Sequence, residues 1–212
     1  MRLRDLTILL YDISELLFVP VSLLAVIALL LKVRIPYLLL FLVLNMVLRT
    51  ASVYMADAMI NTMPVYHVLG AVDLVLCFLI YRVHVSNRWT IAVAIVLLLY
   101  VFNSVALTSV FESNSVGLTA VQFFILLLGF NYLSALYKEG SAELEKEGFF
   151  WMNAGFMIYA AGAFFVNLMS SKIVSKETND LFHNAWIIEA IVGILRLFLI
   201  AFGYLVALRA RK

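Results

Sequence analysis

Hydrophobic residues make up 65% of this 212-residue chain and charged residues only 13%, and a mean hydropathy of +1.06 lies far above that of a soluble domain. The net charge of +2 is too small, and its lysines and arginines too confined to loops, for a nucleic-acid binder. Cys77, the single cysteine, lies in an apolar run, which excludes a disulfide framework and a cysteine metal site.

Seven apolar stretches, each about as long as a bilayer crossing requires, follow one another along the sequence. Hydropathy and loop punctuation place them at 15–31, 36–56, 64–81, 89–110, 119–137, 149–169 and 184–207. The expected fold is all-α: one transmembrane domain over 1–212, a seven-helix bundle. Pro36 and Pro64 stand at helix starts, where the first-turn donors lack intrahelical partners anyway. Pro20 predicts a kink in span one or a start closer to it. Spans and short loops leave no room within these residues for a kinase, nucleotide-binding or other soluble catalytic domain. Such activity is expected of a partner.

Orientation follows from the positive charges. Arg2, Arg4, Lys172 and Lys176 fall on one side; Lys32, Arg34, Arg82, Arg88, Lys138, Lys146, Arg209, Arg211 and Lys212 fall on the other. The basic excess marks the cytoplasmic side, so the N-terminus is expected outside and the C-terminus inside, with span one as an uncleaved anchor. The charge-dense segment from Lys138 to Gly148 then faces the cytoplasm, as a solvated connector or a docking loop. On the other side, Ser170 to Phe182 is the longest loop and a candidate lid or interfacial helix.

Four ionisable residues lie inside the spans: Arg49, Asp73, Glu189 and Arg196. A charge at membrane depth is costly, so it faces the bundle interior or a water-filled cavity and marks a pair or a site. A rise of about 1.5 Å per residue puts Asp73 and Arg196 near the midplane. His67, Gln122 and Glu189 fall on the order of 10 Å further out, with Arg49 and Asn103 between the two levels. Glu189 and Arg196 share a face of span seven, and Asn45, Arg49 and Ser52 share one of span two. Matched depths suggest a structural ion pair between Asp73 and Arg196. Arg49, His67, Asn103, Gln122 and Glu189 exceed what one such pair needs, and are the candidate lining of an outward-facing cavity walled by spans two, three, four and seven. There Arg49 would meet an acidic or zwitterionic head group and apolar walls would hold a lipid-like body.

Other polar positions read as structure. Asn131 and Asn153 suit interhelical hydrogen bonding, Gly155 and Gly162 a close-packing seam around Tyr159, and Trp89, Trp151 and Trp186 interface anchors. His67, His84 and His183 are scattered singly, so no metal site is expected, and no cofactor either. Every lysine lies in a loop or at the terminus, which excludes a retinal Schiff base.

The elements PVYH (Pro64 to His67), FFWMNAGFMIYAAG (Phe149 to Gly162) and HNAWIIEAIVG (from His183) resemble small seven-helix bacterial membrane proteins related to sensing modules found beside or fused to histidine kinases. That resemblance implies a sensor or accessory subunit in the bacterial cytoplasmic (inner) membrane. Its partners would be membrane lipid, a small amphipathic ligand or partner helix, and a cytoplasmic signalling protein that carries signal transduction onward. A weaker resemblance, through KVRIP at Lys32, GAVDL around Asp73 and GAFFVNLMSS from Gly162, is to the lysoplasmalogenase family. That family is eight-spanned, and its second carboxylate is replaced here by Ser170 and Ser171. On that alternative Asp73 would be the general base and Glu189 the acid, if packing brings them together. A small transporter is disfavoured by the lack of evident repeats.

Overall fold

The computed structural model of the protein describes residues 3–33, 35–138, 144–174 and 179–210, with side chains described for all of these except residues 3, 4 and 170–184. Its helices are α1 (Leu3–Leu30), α2 (Leu38–Asp57), α3 (Met63–Tyr81), α4 (Arg88–Phe102), α5 (Ser115–Lys138), α6 (Gly148–Val174) and α7 (Asn179–Arg209). A π-helical turn, Asn103–Leu107, extends α4, and a 3-10 turn, Leu144–Lys146, precedes α6. Among the described residues there are no strands, and seven helices are long and apolar enough to cross a membrane. They mark an integral membrane protein.

Helix boundaries depart most from expectation at α1, which begins at Leu3 rather than near residue 15 and runs unbroken through Pro20. Asp5, Asp12 and Glu15 interrupt the hydropathy but fall on one helical stripe, so the opposite face remains apolar. Ser14 and Phe18 there are buried. The α1 and α2 ends close in Schellman geometry: Val33 N–H donates to Ala28 O at 2.8 Å and Ile60 N–H to Met55 O at 2.8 Å. Lys32 and Met59 supply the left-handed residue, at φ 60° and 57°.

Packing runs α1 to α2 to α3 to α5 to α6 to α7 and back to α1, a closed ring of six helices. α4 stands outside it, against α3 and α5. Leu16, Leu98, Phe130, Phe165 and Phe198 face outward, the surface a bilayer would cover. The ring's interior is filled toward the C-terminal end by Phe18, Phe41, Tyr81, Leu128, Met152 and Phe156. Phe41 and Phe156 meet edge to face across it at 5.2 Å.

α6 and α7 lie closest together because glycines remove the obstacle. Gly148, Gly155 and Gly162 recur every seven residues on α6. A Cβ at Gly155 would come within 3.0 Å of Arg196 O, and one at Gly162 within 2.8 Å of Val192 Cγ1. This is the seam expected from Gly155 and Gly162, extended one heptad to where Gly148 meets Gly203. Asn153, expected as interhelical glue, accepts a hydrogen bond from Tyr81 Oη at 2.5 Å.

Candidate functional site

Polar residues collect in the other half of the ring, where α1, α3, α5 and α7 begin. There the helices enclose a cavity of about 650 Å³, within the range of small-molecule sites, roughly 300–1,000 Å³. Asn61, Phe111, Glu112 and Ser113 lie exposed at its rim, on the α2–α3 and α4–α5 loops, and Leu69, Leu118 and Val166 form apolar wall. Arg49, Gln122, Tyr159, Glu189 and Asp73 line the interior. Walls come from α2, α3, α5, α6 and α7. Span four, expected as a full wall, contributes Tyr100 because it packs outside the ring.

The charged layer is tied together by neutral groups. Asp73 Oδ1 accepts a hydrogen bond from Asn45 Nδ2 at 2.8 Å, and the same amide donates to Phe41 O at 3.2 Å. Arg196, 2% exposed, sets its guanidinium 3.8 Å from the centre of the Tyr159 ring and 5.4 Å from that of Phe41. Arg49 Nη2 donates to the Tyr159 hydroxyl at 3.3 Å, and its guanidinium lies 5.8 Å from the Phe18 ring. One phenol therefore serves both arginines, by its face and by its oxygen. A desolvated cation–π contact contributes about 2 kcal/mol, so Tyr159 is a principal reason two cations persist here. Asp73 lies within Coulombic reach of Arg196 and Arg49, and Glu189 of Arg49 and Arg196. Among the described residues, several buried polar atoms of this layer have no hydrogen-bond partner: Arg49 Nε and Gln122 Oε1 on residues that line the cavity, and Asn45 Oδ1 and Arg196 Nε behind them.

One wall is laced by a second network. His67 Nε2–H donates to Glu112 O at 2.9 Å, which leaves Nδ1 to accept from Ser104 Oγ at 2.9 Å. Asn114 Nδ2 donates to Ser104 Oγ at 2.6 Å, Asn103 donates to Asn114 Oδ1, and that oxygen also receives Gly117 N–H at 2.8 Å. Asn114 thereby caps α5. His67 thus walls the cavity with its ring while both nitrogens hold the α4–α5 loop in place. Tyr100 Oη donates to His67 O at 3.0 Å over Gly70, where any Cβ would collide with that hydroxyl.

Of the residues singled out in the sequence, Arg49, His67, Gln122 and Glu189 line this one cavity, together with Asp73. Asn103 stands behind the wall, bonded to Asn114. Arg196 lies beneath, against Tyr159. Compared with protein-family models, with curated proteins and with solved structures, the chain finds no match. The cavity's own chemistry is therefore the guide. Tyr66, Tyr159 and Trp186 also line it; a lone tyrosine or an interface tryptophan gives no sequence signal of facing inward. Asn114 had one, as a cap residue just ahead of a helix. Among the described residues no cluster of three or more His, Cys, Asp or Glu could hold a metal. The expected Ser170 to Phe182 loop is instead helical at 170–174 and 179–182, where α6 and α7 run on past the apolar stretches. Only residues 175–178 between them lie outside the described residues, as do residues 139–143 of the Lys138 to Gly148 segment; of Ser170, Ser171 and His183 the backbone alone is described.

Proposed function

We propose that the protein is a sensor or accessory subunit of a bacterial cytoplasmic membrane that binds an amphipathic ligand in this cavity and signals to a cytoplasmic protein. The observation that carries the reading is the cavity itself, with unpartnered Arg49 Nε and Gln122 Oε1 beside Glu189. Polar atoms left without partners in a bundle interior are costly, and a ligand would supply the missing bonds. A partner helix about 10 Å across would fill 650 Å³ in fewer than two turns, so a small amphiphile is the better occupant. The excess of lysine and arginine at the opposite end supports an orientation with the cavity mouth outside the cell.

Transmission would use α6 and α7, which wall the cavity through Tyr159, Val166, Trp186 and Glu189 and continue along the glycine seam to Gly148 and Gly203. A ligand preferring one packing of that pair would shift its population and move the cytoplasmic ends. Organic extraction and mass spectrometry of the purified full chain test the binding. An amphiphile stoichiometric with the chain is expected in the wild type and its loss in Gln122→Trp, whose indole would occupy the space; equal content in both refutes the reading.

A second reading, a lipid hydrolase, draws on Asp73 and Glu189 lining the same cavity. Asp73 would act as general base and Glu189 as general acid on a lysolipid vinyl ether. Turnover of a lysoplasmalogen by the wild type, absent in Asp73→Asn, would establish it; turnover retained in the variant would remove Asp73 from that role.

A further inference from the structure

The cavity is lined by charges of both signs, Arg49 together with Glu189 and Asp73. Arg49 stands at the level of Tyr159, whose hydroxyl it reaches at 3.3 Å. Arg196 packs on that same ring at 3.8 Å, and Glu189 lies two turns nearer the mouth on α7, about 10 Å by helical rise. Trp186 lies one turn before Glu189 on α7, and the same cavity is lined by Tyr66 of α3 and, at the rim, by Glu112. Carboxylates framed by aromatic faces are the chemistry that receives an ammonium group. Arg49 carries the unpartnered donor Nε, and Gln122, 4% exposed and by helical rise at about the level of Glu189, carries the unpartnered acceptor Oε1.

We propose that the ligand is a zwitterion, with its ammonium group toward the mouth against Glu189 and Trp186, its phosphate or carboxylate against Arg49, and a hydroxyl or N–H meeting Gln122. This deepens the binding function proposed above and rests on it. A purely anionic ligand would satisfy Arg49 but place its charge beside Glu189 and Asp73. A purely cationic one would satisfy Glu189 but leave the Arg49 donor facing it. Like charges brought together in a desolvated site cost several kcal/mol in binding, so both are discriminated against. The order of groups, ammonium outermost and anion inward, is that of a lipid head group entering from the outer leaflet and of a free zwitterion alike.

Native mass spectrometry of the full chain in detergent, titrated with four probes, tests this. They are a lysophosphatidylcholine, a lysophosphatidate and an alkyltrimethylammonium of equal chain length, and phosphocholine alone. The lysophosphatidylcholine is expected to bind at least about tenfold tighter than either singly charged amphiphile, with Gln122→Trp abolishing its binding. Phosphocholine competing for the site assigns the ligand to free zwitterions; its failure to compete assigns it to lipids. Glu189→Gln is expected to shift preference toward the lysophosphatidate and Arg49→Gln toward the ammonium, reversals that misfolding does not produce. If either variant fails to fold, the wild-type ranking decides. A singly charged amphiphile that equals the zwitterion and is still lost in Gln122→Trp overturns the two-pole assignment and leaves cavity binding standing. Loss of all probe binding in the wild type, or binding untouched by Gln122→Trp, overturns both.

Discussion

Replacing Asn45 with alanine removes the direct hydrogen-bond donor found for the Asp73 carboxylate among the described residues, at 2.8 Å and in a residue with no exposure. Hydrogen bonds to charged groups contribute about 1.5–3 kcal/mol in proteins generally. Between membrane helices the average is only about 0.6 and the maximum about 1.7 kcal/mol, because the unfolded chain in lipid also finds partners. The acceptor here is a carboxylate near the midplane, so the upper membrane value applies. With the small void left by truncation, Asn45→Ala is expected to cost about 2 kcal/mol, roughly thirtyfold in the unfolding equilibrium. In an Asp73→Asn background the acceptor is neutral and the bond contributes about 0.6 kcal/mol, so the two substitutions should couple by about 1 kcal/mol. Reversible unfolding of the four proteins in mixed micelles measures the cycle. Equal losses in both backgrounds, within about 0.3 kcal/mol, would refute the Asn45 account of how this charge is held.

Gly203→Ala is expected to destabilise the protein by about 1–3 kcal/mol, since its Cβ would stand 2.5 Å from Gly148 O and 2.6 Å from Met152 Cγ and force α6 and α7 apart. Gly193→Ala, whose nearest contact would be Ser14 Oγ at 3.3 Å, should be close to neutral in the same thermal melt; similar losses would count against the seam. Asn114→Ala should cost about 2 kcal/mol by opening the α5 cap and the Ser104 bond together. Asn114→Asp, which keeps the cap acceptor, should recover part of that loss, and no recovery would reject the cap assignment.

Hydropathy made the seven spans legible because a bilayer-length apolar run has few other uses. It failed at the first half of α1, where Asp5, Asp12 and Glu15 lower the window average although they occupy only one stripe. Depth counting brought Arg49, His67, Gln122 and Glu189 into one group, because rise along a helix fixes height. It says nothing about azimuth or neighbours, so the exclusion of α4 from the ring and the direct partners of the charges were hidden. Asn45, 28 residues from Asp73, and Tyr159, 110 residues from Arg49, can be matched to their partners only once the helices are packed. The Gly155 and Gly162 seam was visible for the opposite reason: a seven-residue repeat of glycines is both local and periodic.

Whether the polar half of the ring is open to water from outside the cell can be measured by thiol labelling. In a Cys77→Ser background, Gln122→Cys puts a thiol on the cavity wall, while Phe123→Cys puts one at the same depth on the outward face, where Phe123 is 52% exposed. A charged, membrane-impermeant methanethiosulfonate added to intact cells should modify position 122 and spare position 123, which lipid would cover. Failure to modify position 122, or modification of both positions alike, would contradict an outward-opening cavity.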